Sequence, residues 1–203
     1  MMPDFKISDE ELMAQYQKGD ESAFQEIFKR HKRGIYGYIL RYTGNEQESE
    51  EVFQDVFIKM HRAAPHWVPA AKLSTWLYTI VGNLCTDVHR KKRIRHTVSL
   101  DDNDDGEDRS LYDVIASEEP RPDSQSSDAE IGKVLEKALA KINPDQREVF
   151  LLREKNGFKF EEIAEVLGVS VNTVKSRMRY ALESLKKILE KSGFKDLNPN
   201  YER

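Results

Sequence analysis

The sequence predicts an all-α protein of two small helical domains, an N-terminal helical bundle and a C-terminal helix-turn-helix bundle, joined by an acidic flexible linker. Three observations carry this. Apolar residues recur at three- and four-residue spacings in both halves, without strand-type alternation. A central stretch concentrates acid, Pro120, Pro122 and a Ser-Gln-Ser-Ser run. With 203 residues, 38% hydrophobic and 33% charged, the chain suits small helical units better than one thick core.

The first helix starts at Ser8, which forms a capping box with Glu11, carries Leu12, Met13 and Tyr16, and breaks at Lys18-Gly19-Asp20. A second helix carries Phe24, Ile27, Phe28, Ile35, Ile39 and Leu40 and stops near Gly44-Asn45. The third, Glu46 to Arg62, buries a stripe of Val52, Phe53, Val56, Phe57 and Met60. Its other faces carry Glu48, Glu51, Gln54, Asp55 and Lys59, which residue chemistry alone reads as a solvated surface.

A fourth helix is expected from Ser74 as N-cap, with Leu77, Ile80, Val81, Leu84 and Val88 on one side. Trp76, Thr79, Asn83, Thr86 and Arg90 share another side, which leads into the basic run His89 to His96. That mixture suits nucleic acid, because bases stack on aromatics while cations follow the backbone. In the preceding loop, 64–72, Trp67 stands between Pro65 and Pro69; it either lines a pocket for an unstacked base or packs with Trp76 in the core.

Residues 97–130 carry twelve acids against Arg109 and Arg121, a net charge of −10, so the remaining chain is +6 although the total is −4. These 34 residues span about 110 Å extended and about 35 Å as a flexible coil, enough for two modules to hold DNA sites several helical turns apart. The expected boundaries are 1–96 and 131–192 for the domains, 97–130 for the linker and 193–203 for a C-terminal tail.

In the second domain, Glu161 to Leu185 reads as helix-turn-helix. Ile163, Ala164 and Leu167 give the first helix an apolar face, Gly168 suits a left-handed helix exit, and Ser170 can cap the next helix. On the second helix Val171, Val174, Met178, Ala181 and Leu185 turn inward. Asn172, Ser176, Arg179 and Tyr180 project outward, flanked by Lys175 and Arg177, a strip of donors and cations suited to the major groove.

Composition excludes several classes. No apolar run approaches the roughly 20 residues of a membrane span, and the N-terminus lacks a secretory pattern, so a cytoplasmic protein is expected. The single cysteine, Cys85, falls in an apolar helical pattern and reads as a buried thiol. His31, His61, His66, His89 and His96 have no zinc-site spacing, and no Gly-rich phosphate loop appears. No metal, cofactor, small-molecule substrate or catalytic cluster is expected.

Four stretches, YQKGDESAFQEIFKRHKRGIYGYILRYTGN, EEVFQDVFIKMHRA, STWLYTIVGNLCTDVHRKKR and INPDQREVFLLREKNGFKFEEIAEVLGVSVNTVKSRMRYALESLKK, stand in an order that resembles the extracytoplasmic-function group of sigma-70 family sigma factors. The resemblance implies a non-catalytic subunit that binds core RNA polymerase, at the β′ clamp helices and the β flap, and directs promoter recognition, melting and transcription initiation. Glu51, Gln54 and Asp55 match positions that dock on the clamp helices. Trp67, Lys72, Thr75, Trp76, Thr79, Asn83, Arg90 and Lys91 fall in the region that recognises and helps melt the −10 element by capturing a flipped base. Asn172, Thr173, Lys175, Ser176, Arg177, Arg179 and Tyr180 fall where the −35 element is met.

The acidic linker resembles a segment that threads towards the RNA exit path, and an anti-sigma partner is implied. Two departures stand out. Family members often have Arg-Ala-Arg after Lys-Ser-Arg, where this chain has Met178-Arg179-Tyr180-Ala181, and Lys159 replaces the usual serine-type cap. The competing reading is a stand-alone helix-turn-helix activator that binds duplex DNA as a dimer on symmetric half-sites. A helical enzyme is the remote third.

Overall fold

The computed structural model describes residues 7–98 and 126–191, with side chains described for 7–91 and 134–191. The chain divides into two compact units, Met1–Ala116 and Ser117–Arg203. Every regular element among the described residues is helical.

The first unit contains α1 (Asp9–Gln17), α2 (Glu21–Thr43), α3 (Glu46–Ala63), a 3₁₀ turn at Ala64–His66, and α4 (Leu73–Val98). The expected caps form. Ser8 Oγ accepts from the Glu11 N–H while Glu11 accepts from the Ser8 N–H, closing the capping box at 3.2 and 2.9 Å. Asp20 accepts from the Ser22 N–H to open α2, and Gly44, at φ 66°, closes it in the left-handed region that glycine tolerates. Asn45 then caps α3 through the Glu48 N–H.

The core joins Met13 of α1, Ile27, Ile35, Tyr36 and Ile39 of α2, Val56 and Met60 of α3, and Leu73, Leu77 and Val81 of α4, all fully buried. Each such side chain contributes about 1.5–3 kcal/mol of burial free energy. Phe28, Phe53 and Phe57 pack edge to face, with Phe28–Phe57 centroids 4.7 Å apart. Phe24, Phe28 and Leu40 are half-buried at the margin of this cluster. Cys85 is buried, as its apolar pattern indicates.

One boundary differs from the sequence expectation. Helix α4 begins at Leu73, not after Ser74, because its first N–H is met from elsewhere: the Leu73 N–H donates to Glu10 Oε1 at 2.8 Å. A carboxylate from α1 does what a local serine does at other helix starts, and it also suits the positive end of the helix dipole.

The second unit contains α5 (Ser126–Lys141), α6 (Pro144–Phe150) with a π-helical continuation at Leu151–Lys155, α7 (Phe160–Leu167) and α8 (Val171–Lys191). Leu139, Leu151, Leu152, Ile163, Val174 and Ala181 form its centre. The wide turn is marked by the Asn156 N–H reaching back to the Leu151 carbonyl, and Arg153 ties it to the next helix by donating to the Phe158 carbonyl and lying over the Phe160 ring.

Both ends of the acidic stretch enter helices: Thr97 and Val98 finish α4, and Ser126–Glu130 begin α5. The rest of the expected linker, the side chains of the basic run from Lys92 onward, and the 193–203 tail lie outside the described residues.

Candidate nucleic-acid interface

Helix α8 owes its exposed face to two short-range features. Gly168 leaves α7 at φ 63°, and Ser170 Oγ accepts from the Thr173 N–H at 3.1 Å, so the chain turns within three residues. Val174, Met178, Ala181 and Leu185 are buried against the unit, with Val171 half-buried. On α7 it is Val166, with Ile163 and Ala164, that is buried; the expected Leu167 is only half-buried at the helix exit. The cap of α7 also finds its explanation. Lys159 offers no side-chain acceptor, but its N–H donates to Glu162 at 2.8 Å, so the acidic half of a capping box acts alone.

Asn172, Lys175, Ser176, Arg179 and Tyr180 are all exposed. The first turn of α8 contains no acid, so its positive dipole end stands uncompensated beside Lys175, a setting that favours phosphate. Arg179 and Tyr180 form a pair. The guanidinium lies 4.9 Å from the ring centroid, Nη2 donates to the Tyr180 hydroxyl at 3.2 Å, and Tyr180 is 46% exposed. Two expected contact residues are engaged inside the unit. The Thr173 hydroxyl meets Ser170 in the cap, and Arg177 donates to Asp145 at 2.6 Å, tying α8 to the start of α6. Arg177 therefore positions the helix; its guanidinium is not left on the outward strip.

The second face lies on α4 and the loop before it. Trp76 and Thr79 are half-buried, and Asn83, Thr86, Arg90 and Lys91 are exposed, while Leu77, Val81 and Leu84 are buried on the opposite side. Arg90 pairs with Asp87 at 3.0 Å, a solvent-exposed bridge of little energetic weight. Lys72 is exposed at the loop's end. Thr75 departs from expectation: only 2% exposed, it belongs to the core, and its carbonyl accepts from the Thr79 hydroxyl. Trp67 is 9% exposed, its ring 6.3 Å from that of Trp76, so of the two readings left open by the sequence the packed one describes this state. The exposed tip is Val68, at 67%.

On α3, Glu51, Gln54 and Asp55 are exposed on the side away from Val52, Phe53, Val56 and Phe57. Sequence reasoning missed their neighbour. Ile58, 45% exposed, falls at the i, i+3, i+4, i+7 spacing with them and gives the acidic face an apolar end. The signal was present as an isoleucine outside the buried stripe.

Among the described residues, no group of His, Cys, Asp or Glu is arranged to hold a metal ion, and no helix is long and apolar enough to cross a membrane.

Two helical units, one ending in an exposed helix-turn-helix and the other bearing a polar, aromatic and basic helix face, carry the parts of a DNA-directed transcription factor. Comparison with known proteins narrows the class. The sigma-70 region 2 family matches residues 27–95, and the sigma-70 region 4 family matches 133–185.

The chain is 32% identical over 176 residues to the ECF RNA polymerase sigma factor SigW of Bacillus subtilis, covering 86% of this chain and 93% of the relative. It is 31% identical over 186 residues to the RNA polymerase sigma-H factor of Pseudomonas aeruginosa, covering 90% and 94%. It is 30% identical over 177 residues to the ECF sigma factor SigE of Mycolicibacterium smegmatis, where it spans 65% of the relative's length and 85% of its own.

Among solved structures, the fold is similar to CnrH, in complex with the cytosolic domain of CnrY, at TM-score 0.65 and 24% identity, covering 90% of this chain and 97% of that one. It is also similar to the sigma factor RpoE of Bartonella quintana, in complex with the anti-sigma factor NepR, at TM-score 0.62 and 21% identity, covering 82% and 96%. The chain belongs to the extracytoplasmic-function sigma factors of the sigma-70 family. That membership favours a sigma factor over the stand-alone activator.

Proposed function

We propose that this chain is a cytoplasmic, non-catalytic specificity subunit that binds core RNA polymerase and carries it to promoters with separately recognised −10 and −35 elements. The observation that carries the reading is the pair of exposed, polar and basic helix faces, α4 and α8, one in each unit of an extracytoplasmic-function sigma factor. Neither face needs a cofactor or a small-molecule substrate.

In this reading α8 enters the −35 major groove. Asn172, Lys175 and Ser176 meet phosphates and base edges near its N-terminus, and Arg179 with Tyr180 read bases further along. Thr173 and Arg177 hold the helix at the angle this requires. On the other unit, Trp76, Thr79 and Asn83 face the −10 element, with Lys72, Arg90 and Lys91 along its backbone, and the 64–72 loop receives an unstacked base. Extracting a base costs a few kcal/mol, which pocket contacts and cation–phosphate pairing offset. Glu51, Gln54 and Asp55, continued by Ile58, form the surface for the β′ clamp helices, and the second unit meets the β flap. Residues 1–96 and 131–192 act as the two modules, 97–130 as their acidic tether, and an anti-sigma protein controls access to them.

The test is transcription by core polymerase on genomic DNA with and without the chain. New start sites sharing −10 and −35 elements are expected only in its presence. On those promoters Arg179→Ala and Tyr180→Ala each reduce discrimination among −35 bases by roughly 1–3 kcal/mol. Tight sequence-specific duplex binding by the chain alone, with no new start sites, replaces this reading with the activator.

A further inference from the structure

We infer that α1 is a positioning element for the −10 loop, with Gln17 and Glu10, distant in sequence, holding the two ends of residues 64–73. This rests on the reading of that loop as the base-receiving segment.

The geometry is specific. Gln17 Nε2 donates to the Ala64 carbonyl at 2.7 Å and to the Trp67 carbonyl at 2.8 Å, spending both amide hydrogens on one short stretch of loop. At the other end, the Leu73 N–H donates to Glu10 Oε1 at 2.8 Å, fixing where α4 begins. Between these ends the chain carries little regular structure, only the Ala64–His66 turn and a bond from the Ala70 N–H to the Val68 carbonyl, while Val68 stands out at the tip.

A loop of this kind is shaped by what grips its ends, and both grips come from one nine-residue helix. That helix is itself anchored to α2. Arg30 donates to the Ile7 carbonyl and to Asp9, and His31 Nε2 lies 2.6 Å from Asp9 Oδ2. Glu10 and Gln17 both lie outside the sigma-70 region 2 match, which begins at residue 27.

A gripped loop offers DNA a receiving surface ordered in advance, whereas a loose one must be ordered when the base arrives. Gln17 is exposed, so changing it does not disturb the core. Gln17→Glu keeps the shape but replaces two donors with acceptors that face carbonyl oxygens. Glu10→Ala removes the acceptor of the Leu73 N–H, and Glu10→Gln restores one.

The experiment uses the full chain with core polymerase. Binding to core, permanganate reactivity of −10 thymines in the promoter complex, and amide exchange at Leu73 and Trp67 in the free chain are measured in parallel. Gln17→Glu and Glu10→Ala are expected to lower thymine reactivity by about tenfold while binding to core is unchanged. Exchange should speed up at Trp67 in the first variant and at Leu73 in the second, and Glu10→Gln should recover both readouts. Unchanged reactivity, unchanged exchange, or a parallel loss of core binding overturns the inference. If the wild-type chain itself opens no promoter with core, the promoter reading fails first, and the exchange data then show whether α1 holds the loop at all.

Discussion

The α8 face takes its shape from one stretch of chain, while the face on α4 and its loop is shaped from a distance. For α8, the exit glycine Gly168, the cap Ser170 and the outward residues 172–180 are near neighbours in sequence, and the buried stripe of Val174, Met178 and Ala181 belongs to the same helix. For the α4 face, the loop's carbonyls and the first N–H of the helix are met by Gln17 and Glu10, which stand 47 to 63 residues earlier. A local motif resists change elsewhere in its unit, whereas a surface held by a remote helix inherits that helix's weaknesses.

The largest expected effect follows directly. Met13 is fully buried and roots α1 in the core, so Met13→Ala should destabilise the first unit by about 2–5 kcal/mol. Both tryptophans, Trp67 and Trp76, lie in that unit, so thermal melting followed by tryptophan fluorescence reads it alone. Amide exchange at Val174 and Met178 should stay as in the wild type. Equal loosening of both units would show that the contrast between them is wrong.

A smaller effect is expected where the architecture is local. Gly168 has open space where a Cβ would stand, so the penalty of Gly168→Ala comes from the positive φ alone, about 1–2 kcal/mol. The loss should appear as faster exchange across α7 and α8 and as weaker duplex −35 binding, with the fluorescence melt of the first unit unmoved. A duplex affinity unaffected by this change would mean that the angle between α7 and α8 does not govern recognition.

This contrast also explains what could be read from the sequence. The capping box at Ser8, the stop at Gly44, the buried stripe of α3, the turn at Gly168 and the inward side of α8 depend on residues a few positions apart, and local patterns report them. The start of α4 was misplaced at Ser74 because its cap is Glu10, which no local pattern connects to Leu73. Thr75, a −10 position by the family resemblance, is core, and Arg177, a cation flanking the outward strip by its place on the helix, is tied to Asp145, 32 positions earlier. The π turn at Leu151–Lys155 and the exposure of Ile58 likewise depend on packing between elements. The roles of the three exposed faces came from the family resemblance, since a polar helix face has the same chemistry whether it meets solvent, protein or DNA.

The smallest effect is one of acidity, and it falls on α1. Hydrogen bonds from His31 and then Arg30 hold the Asp9 carboxyl below its ordinary 3.8 despite partial burial. Hydrogen bonds from the Ser8 N–H and hydroxyl lower Glu11, and those from the Ser22 hydroxyl and N–H lower Asp20. A carboxyl whose pKa falls on folding adds stability that is present above its unfolded value and is lost as pH drops through its folded value. All three groups therefore act with the same sign: full support for α1 and its exit turn above about pH 4–5, withdrawn below. Lowering the pH from 6 to 3 should thus lower the fluorescence melt, and Asp9→Asn should be less stable at pH 6 but flatter with pH. Because α1 grips the loop, protection of the Leu73 amide, measured against its intrinsic exchange rate at each pH, should fall over the same acid range, before the core of the unit opens. An acid response identical in wild type and Asp9→Asn would take Asp9 out of that grip and leave Arg30, through the Ile7 carbonyl, as its anchor.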